Sequence, residues 1–98
     1  MILEVAVLDV IAGRTPQFEI NFNMAKKLIS SIEGFADLQL QRCLEQPNRY
    51  ILLVNWDTLE SHTTGFRQSA VYQEWKKLLH EFYNPFPVVQ HYELINEA

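Results

Sequence analysis

Ninety-eight residues, 48% hydrophobic and 12% aromatic with only 3 glycines, suit one folded domain spanning residues 1–98 and exclude disorder or a second domain. The net charge is −4 and the basic residues are scattered rather than gathered in a stripe, which argues against nucleic acid as a partner. The lone Cys43 excludes an intrachain disulfide, MILEVAVLDV lacks the cationic region of a signal peptide, and no apolar run reaches the roughly 20 residues of a membrane span; a soluble protein of the reducing cytoplasm is expected.

Ile2 to Val10 is apolar except for Glu4 and Asp9, the pattern of a strand covered on both faces. Ala12, Gly13 and Arg14 make a turn, and Thr15 followed by Pro16 predicts an N-cap with proline at the first helical position. Phe18, Phe22, Ala25, Ile29 and Ile32 then recur at helical spacing, with Gly34 as a C-cap. Phe35 to Leu44 reads as a second strand, Glu45 to Arg49 as a hairpin loop, and Tyr50 to Trp56 as a third strand antiparallel to the second. Asp57 with Glu60 has capping-box spacing, and Leu59, His62 and Phe66 are expected on one inward helical face beside Trp56. Gly65 loosens this piece. Ser69 can cap a second helix, on which Val71, Trp75, Leu78 and Phe82 continue the stripe. Asn84-Pro85-Phe86-Pro87 stops it, and Val88 to Ile95 reads as the last strand.

Strand, helix, strand, strand, helix, strand in a chain of this length predicts an α+β, ferredoxin-like βαββαβ fold: a four-stranded antiparallel sheet with both helices on one face. Strands one and three are apolar at both parities, Leu3, Val5 and Val7 against Ile2, Ala6 and Leu8, and Ile51 and Leu53 against Leu52, Val54 and Trp56. A monomer would expose the helix-free side as a large apolar patch. A homodimer joined through the sheet faces is therefore expected.

The segment WDTLESHTTGFRQSAVYQEW and the closing VVQHYELI resemble the antibiotic biosynthesis monooxygenase family of dimeric α+β barrels, over essentially the whole chain. The resemblance implies a dimer of packed sheets, a pocket between each sheet and its helices, and activities that include cofactor-independent oxygenation of polycyclic phenols and quinols, or haem degradation. Haem-degrading members carry a Trp and a ligand His where this chain has Gly65 and Trp75; antibiotic-type oxygenases carry an Asn and a Tyr where it has Leu52 and His62. The resemblance thus disfavours haem and keeps only the strand-end Trp56 of the oxygenase set.

Cofactor-free oxygenation requires a base, a place for the substrate anion and exclusion of water. His62 is the candidate base, because imidazole titrates near neutral pH; the same placement also fits a core histidine satisfied by a backbone carbonyl. Trp56 walls a pocket or fills the core, and Asn55, on the opposite strand face, is a candidate donor to a substrate oxygen. Phe66 and Tyr83 are candidate pocket linings within an aromatic stripe that also contains Tyr72, Trp75 and Phe82. His91 and Glu93 share a parity on the last strand and are expected to hydrogen-bond across the dimer, whereas His80 is expected to face solvent. The three histidines lack metal-site spacing, and no P-loop, dinucleotide fingerprint or G-x-S-x-G motif occurs, so neither metal nor cofactor is expected. The readings that follow are a monooxygenase of small phenolic, quinol or polycyclic aromatic compounds, a non-catalytic ligand-binding dimer, or a His-based isomerase or lyase.

Overall fold

A computed structural model describes all 98 residues, Met1 to Ala98. Four strands, β1 (Ile2–Asp9), β2 (Phe35–Arg42), β3 (Arg49–Trp56) and β4 (Val89–Glu93), form one antiparallel sheet in the order β2-β3-β1-β4. Two helices, α1 (Thr15–Ile29) and α2 (Ala70–Leu79), cover a single face, and a π-helical turn, Ser61–Phe66, joins β3 to α2. This is the ferredoxin-like α+β arrangement that the order of elements predicts.

Strand alternation decides which side chains meet the helices. Glu4, Ala6 and Leu8 of β1 and Tyr50, Leu52, Val54 and Trp56 of β3 are buried, and they pack with Phe18, Phe22, Ala25 and Ile29 of α1 and Trp75 and Leu79 of α2. Asn21 Nδ2 donates to the Leu78 carbonyl at 2.9 Å and ties the two helices together. The opposite face presents Leu3, Val5, Ile51 and Leu53, which are half-buried, and Val7, which is 41% exposed.

Several local expectations are corrected. Thr15 is the first residue of α1 rather than its cap; Arg14 occupies the cap position without a side-chain bond, so Pro16 falls inside the first turn, where a missing N–H still costs nothing. The helix ends at Ile29, and Ile32 and Gly34 lie in the turn that follows. Gly34 has φ +89 there, a conformation glycine tolerates and other residues adopt only with strain. The Asp57–Glu60 capping box does not form: Asp57 N donates to the Gly34 carbonyl, and Thr58 Oγ1 accepts from Ser61 N at 3.1 Å instead. Leu59 leaves the inward stripe and is 40% exposed. In α2, Leu79 rather than Leu78 is fully buried, because Ser69 Oγ accepts from Tyr72 N and sets the helical phase. β2 stops at Arg42 and β4 spans only Val89–Glu93, leaving Leu44, Val88, Leu94 and Ile95 exposed.

Candidate functional site

Glu4 of β1 and His91 of β4 are directly opposed in the antiparallel ladder, so both side chains rise on the helix face. His62 reaches that pair from the π-helical turn. Its Nδ1 lies 2.7 Å from His91 Nε2, and its Nε2 lies 3.4 Å from Glu4 Oε1. Trp56 Nε1 donates to the same Glu4 oxygen at 2.9 Å. The result is a continuous polar row, His91, His62, Glu4 and Trp56, set inside an apolar core.

The π-helical turn places His62. Arg67 N bonds to the His62 carbonyl at 3.0 Å, an i to i+5 closure that inserts a residue into the turn. Residues four apart then lie nearly over one another, and the His62 and Phe66 rings stack at 6.1 Å with 27° between planes. The imidazole also stacks on Trp56 at 5.4 Å and 20°, and Trp56 and Phe66 are themselves 5.9 Å apart, so the three rings form one triangular cluster. The expected neighbourhood of Trp56 and His62 is therefore found, with the histidine packed against the Trp56–Phe66 pair.

Burial controls the charge of the row. Glu4 is 5% and His62 3% exposed. Loss of water raises the Glu4 carboxyl above its ordinary value, against the opposing effects of the Trp56 hydrogen bond and the Arg67 charge. Loss of water also lowers His62 to about 3, with Arg67 and His91 adding to the effect. His91 is lowered by partial burial and by Arg67. His62 is thus a neutral imidazole at physiological pH.

Beside the row lies a cavity of about 390 Å³ between the sheet and α2. Its polar linings are Glu4, His62, Arg67, Tyr72, His80 and Tyr83; its apolar ones include Leu52, Phe66, Trp75 and Phe86. Burial, and then Tyr72 and Glu4 nearby, raise the Tyr83 hydroxyl above its ordinary pKa, keeping it a neutral donor. Burial and Lys76 lower His80. Arg67 is exposed and forms no ion pair with any carboxylate of the chain. A second concavity of about 810 Å³ runs between α1 and β2, lined by the connected Tyr50, Glu19 and Arg42 side chains, and is remote from the histidine row.

Of the residues that the sequence singles out, His62, Phe66 and Tyr83 line the cavity. Trp56 does not: it is fully buried behind His62. Asn55 is on the helix-free face, where its Nδ2 donates to Asp37 Oδ1 at 2.8 Å, so β-strand parity keeps it from the cavity. His91 bonds within its own chain to His62, Glu93 is exposed, and His80 lines the cavity instead of facing solvent. The sequence reading misses Glu4, Arg67, Tyr72 and His80. Glu4 carries a legible signal: it is the one charged residue sharing parity with Ala6 and Leu8 in an otherwise apolar strand. No group of three or more His, Cys, Asp or Glu side chains is arranged to hold a metal ion.

The antibiotic biosynthesis monooxygenase family model matches residues 1–78. An uncharacterized protein of Bacillus subtilis, YczJ, is 47% identical over 93 residues, covering 95% of this chain and 98% of YczJ. A crystal structure from Bordetella bronchiseptica, provisionally assigned as an antibiotic biosynthesis monooxygenase, superposes with a TM-score of 0.92 at 38% identity, covering 97% of both chains. SnoaB of Streptomyces nogalater, a cofactor-independent oxygenase, shares the fold at a TM-score of 0.82 and 16% identity, covering 98% of this chain and 94% of SnoaB. With the matched region spanning most of the sheet and both helices, the chain belongs to the antibiotic biosynthesis monooxygenase family.

Proposed function

We propose that this protein is a cofactor-independent monooxygenase that takes a small phenolic, quinol or polycyclic aromatic compound into the cavity between its sheet and α2. The observation that carries this reading is the Glu4–His62–His91 row, buried at Glu4 and His62, opening onto an apolar, aromatic-lined chamber of about 390 Å³. Removing a proton from an electron-rich ring system leaves an anion able to pass an electron to dioxygen. Recombination at carbon gives a substrate peroxide, whose collapse leaves a carbonyl on the substrate and releases water. The protein then needs only to take the proton, hold the anion and keep water out. The acid–base row takes the proton, Arg67 faces the anion, and Phe66, Trp75 and Phe86 supply the dry wall.

The functional unit on this reading is a homodimer formed through the helix-free face, in the reducing cytoplasm, where the half-buried Cys43 stays a thiol. Leu52 lines the cavity at the position where the resemblance leads one to look for an Asn. That favours, as a second reading, proton transfer without oxygen, as in an isomerase, or ligand binding alone.

Oxygen uptake with 1,4-dihydroxynaphthalene, measured alongside a melting curve, separates these readings. For the monooxygenase, His62→Ala lowers turnover by roughly a hundredfold or more while the dimer persists, the size of a lost acid–base contribution. Loss of about 1–3 kcal/mol of stability with unchanged turnover identifies a structural histidine. Ligand binding by the wild type without oxygen uptake on any quinol of a panel rejects the oxygenase.

A further inference from the structure

We propose that Glu4, not His62, is the group that exchanges a proton with a cavity ligand, and that His62 and His91 carry that proton between Glu4 and solvent; this rests on the cavity being the ligand site. Both ring nitrogens of His62 are directed at protein groups, Nδ1 at His91 Nε2 and Nε2 at Glu4 Oε1. Its ring packs against Trp56 and Phe66. No lone pair of His62 is left pointing at a ligand. Glu4 differs in this respect. Its Oε1 is held by Trp56 and faces His62, while Oε2 has no protein partner. Since no fully buried side-chain oxygen of the fold lacks a partner, Oε2 is accessible, and the accessible space around Glu4 is the cavity it lines.

The row also has direction. Exposure rises from Glu4 and His62, both buried, to the half-buried His91 on the edge strand β4, which does not line the cavity. The step balances with each proton moving one place. The ligand's C–H or O–H bond breaks and its electron pair stays on the ligand anion as an O–H bond forms on Glu4. Rotation of the carboxyl carries that proton from the ligand side to face His62, whose Nε2 takes it as the Nδ1 proton passes to His91 Nε2 and His91 releases one to water. The 3.4 Å separation of His62 Nε2 and Glu4 Oε1 is longer than an ordinary hydrogen bond, and the transfer requires it to shorten on ligand binding, as catalytic contacts commonly do. Arg67, Tyr72, Tyr83 and His80 also face the cavity. Arg67 is the cation among them that stays charged throughout and so favours the ligand as an anion.

The probe is 4-nitrophenol, whose anion absorbs in the visible and whose neutral form does not, in buffer acidic enough to keep the free phenol protonated. The wild type is expected to bind it as the phenolate, with a protonated-carboxyl band appearing in the infrared difference spectrum. A bound phenolate that is not turned over holds the proton on the adjacent Glu4 at equilibrium, whatever the rate of the relay. Glu4→Gln, whose amide oxygen still accepts from Trp56, is expected to bind it as the neutral phenol and to lose the carboxyl band. His91→Gln is expected to keep the phenolate signal while oxygen uptake on 1,4-dihydroxynaphthalene falls at least tenfold and recovers with added imidazole. The infrared measurement on the wild type stands even if Glu4→Gln does not fold. A phenolate signal without a carboxyl band, or one unchanged in folded Glu4→Gln, overturns the assignment alone. A wild type that does not bind the probe overturns it together with the reading of the cavity as the ligand site.

Discussion

His62 is neutral because it is buried against Trp56 and Phe66 with its surroundings dehydrated, and a prediction follows for acid stability. Its folded pKa lies at about 3, below the unfolded value of 6.5. Below 6.5 the unfolded chain therefore binds a proton that the folded chain refuses. Stability is fully present above 6.5 and is lost as pH falls, with a limiting slope of about 1.4 kcal/mol per pH unit for one group. His91 and His80 are lowered and act in the same sense. Glu4 is raised, so above its ordinary value of 4.5 the folded chain holds a proton the unfolded chain has lost, and this offsets part of the slope. Denaturant midpoints recorded from pH 7 down to 5 are expected to fall more steeply for the wild type than for His62→Gln. Parallel curves would show that His62 is not the titrating group.

At the level of elements, the π-helical turn between β3 and α2 positions His62, and two glycines near it make opposite predictions. Gly34 has φ +89, and an added Cβ there would collide with the Ser61 side chain at the start of the turn. Gly34→Ala combines about 1–2 kcal/mol of backbone strain with that clash, so its melting temperature should fall and the cavity should bind its ligand more weakly. Gly65 lies inside the turn with an ordinary φ, and an added Cβ meets only Glu60 O at 3.7 Å and Ile32 Cγ2 at 3.9 Å. Gly65→Ala should be neutral or stabilising by about 0.4–1 kcal/mol through the unfolded state. A large loss of stability in Gly65→Ala would mean that the turn needs glycine for a reason other than space.

For the molecule as a whole, the helix-free side of the sheet governs behaviour in solution. Leu3, Val5, Val7, Ile51 and Leu53 form a contiguous apolar stripe across β1 and β3, and Tyr92 of β4, half exposed, extends it. An isolated chain would leave this stripe in water. Sedimentation at micromolar concentration is expected to give a dimer, with a total interface above about 2,000 Å². Val5→Arg, at the middle of the stripe and remote from the cavity, should yield monomer or unfolded chain. A wild type sedimenting as a folded monomer would refute sheet-to-sheet pairing.

Much of the architecture was legible in the sequence, because strand alternation, helical spacing and turn residues are local signals. They carried the order of elements, the cover of a single sheet face by both helices, the Ser69 cap and the meeting of Trp56 with His62. The resemblance of the Trp56–Trp75 segment carried the family. What tertiary structure alone decided is the polar row of His91, His62, Glu4 and Trp56. Glu4 and His91 come together only through the β1–β4 register, a pairing between the two ends of the chain that no local spacing records. Competition between nearby caps was likewise settled by packing: Asp57 N is taken by the Gly34 carbonyl, which leaves Thr58 to cap the turn and aims His62 at Glu4. Spacing along a chain predicts which residues share a face; which faces meet, and hence which polar groups lose water together, depends on long-range pairing and close packing.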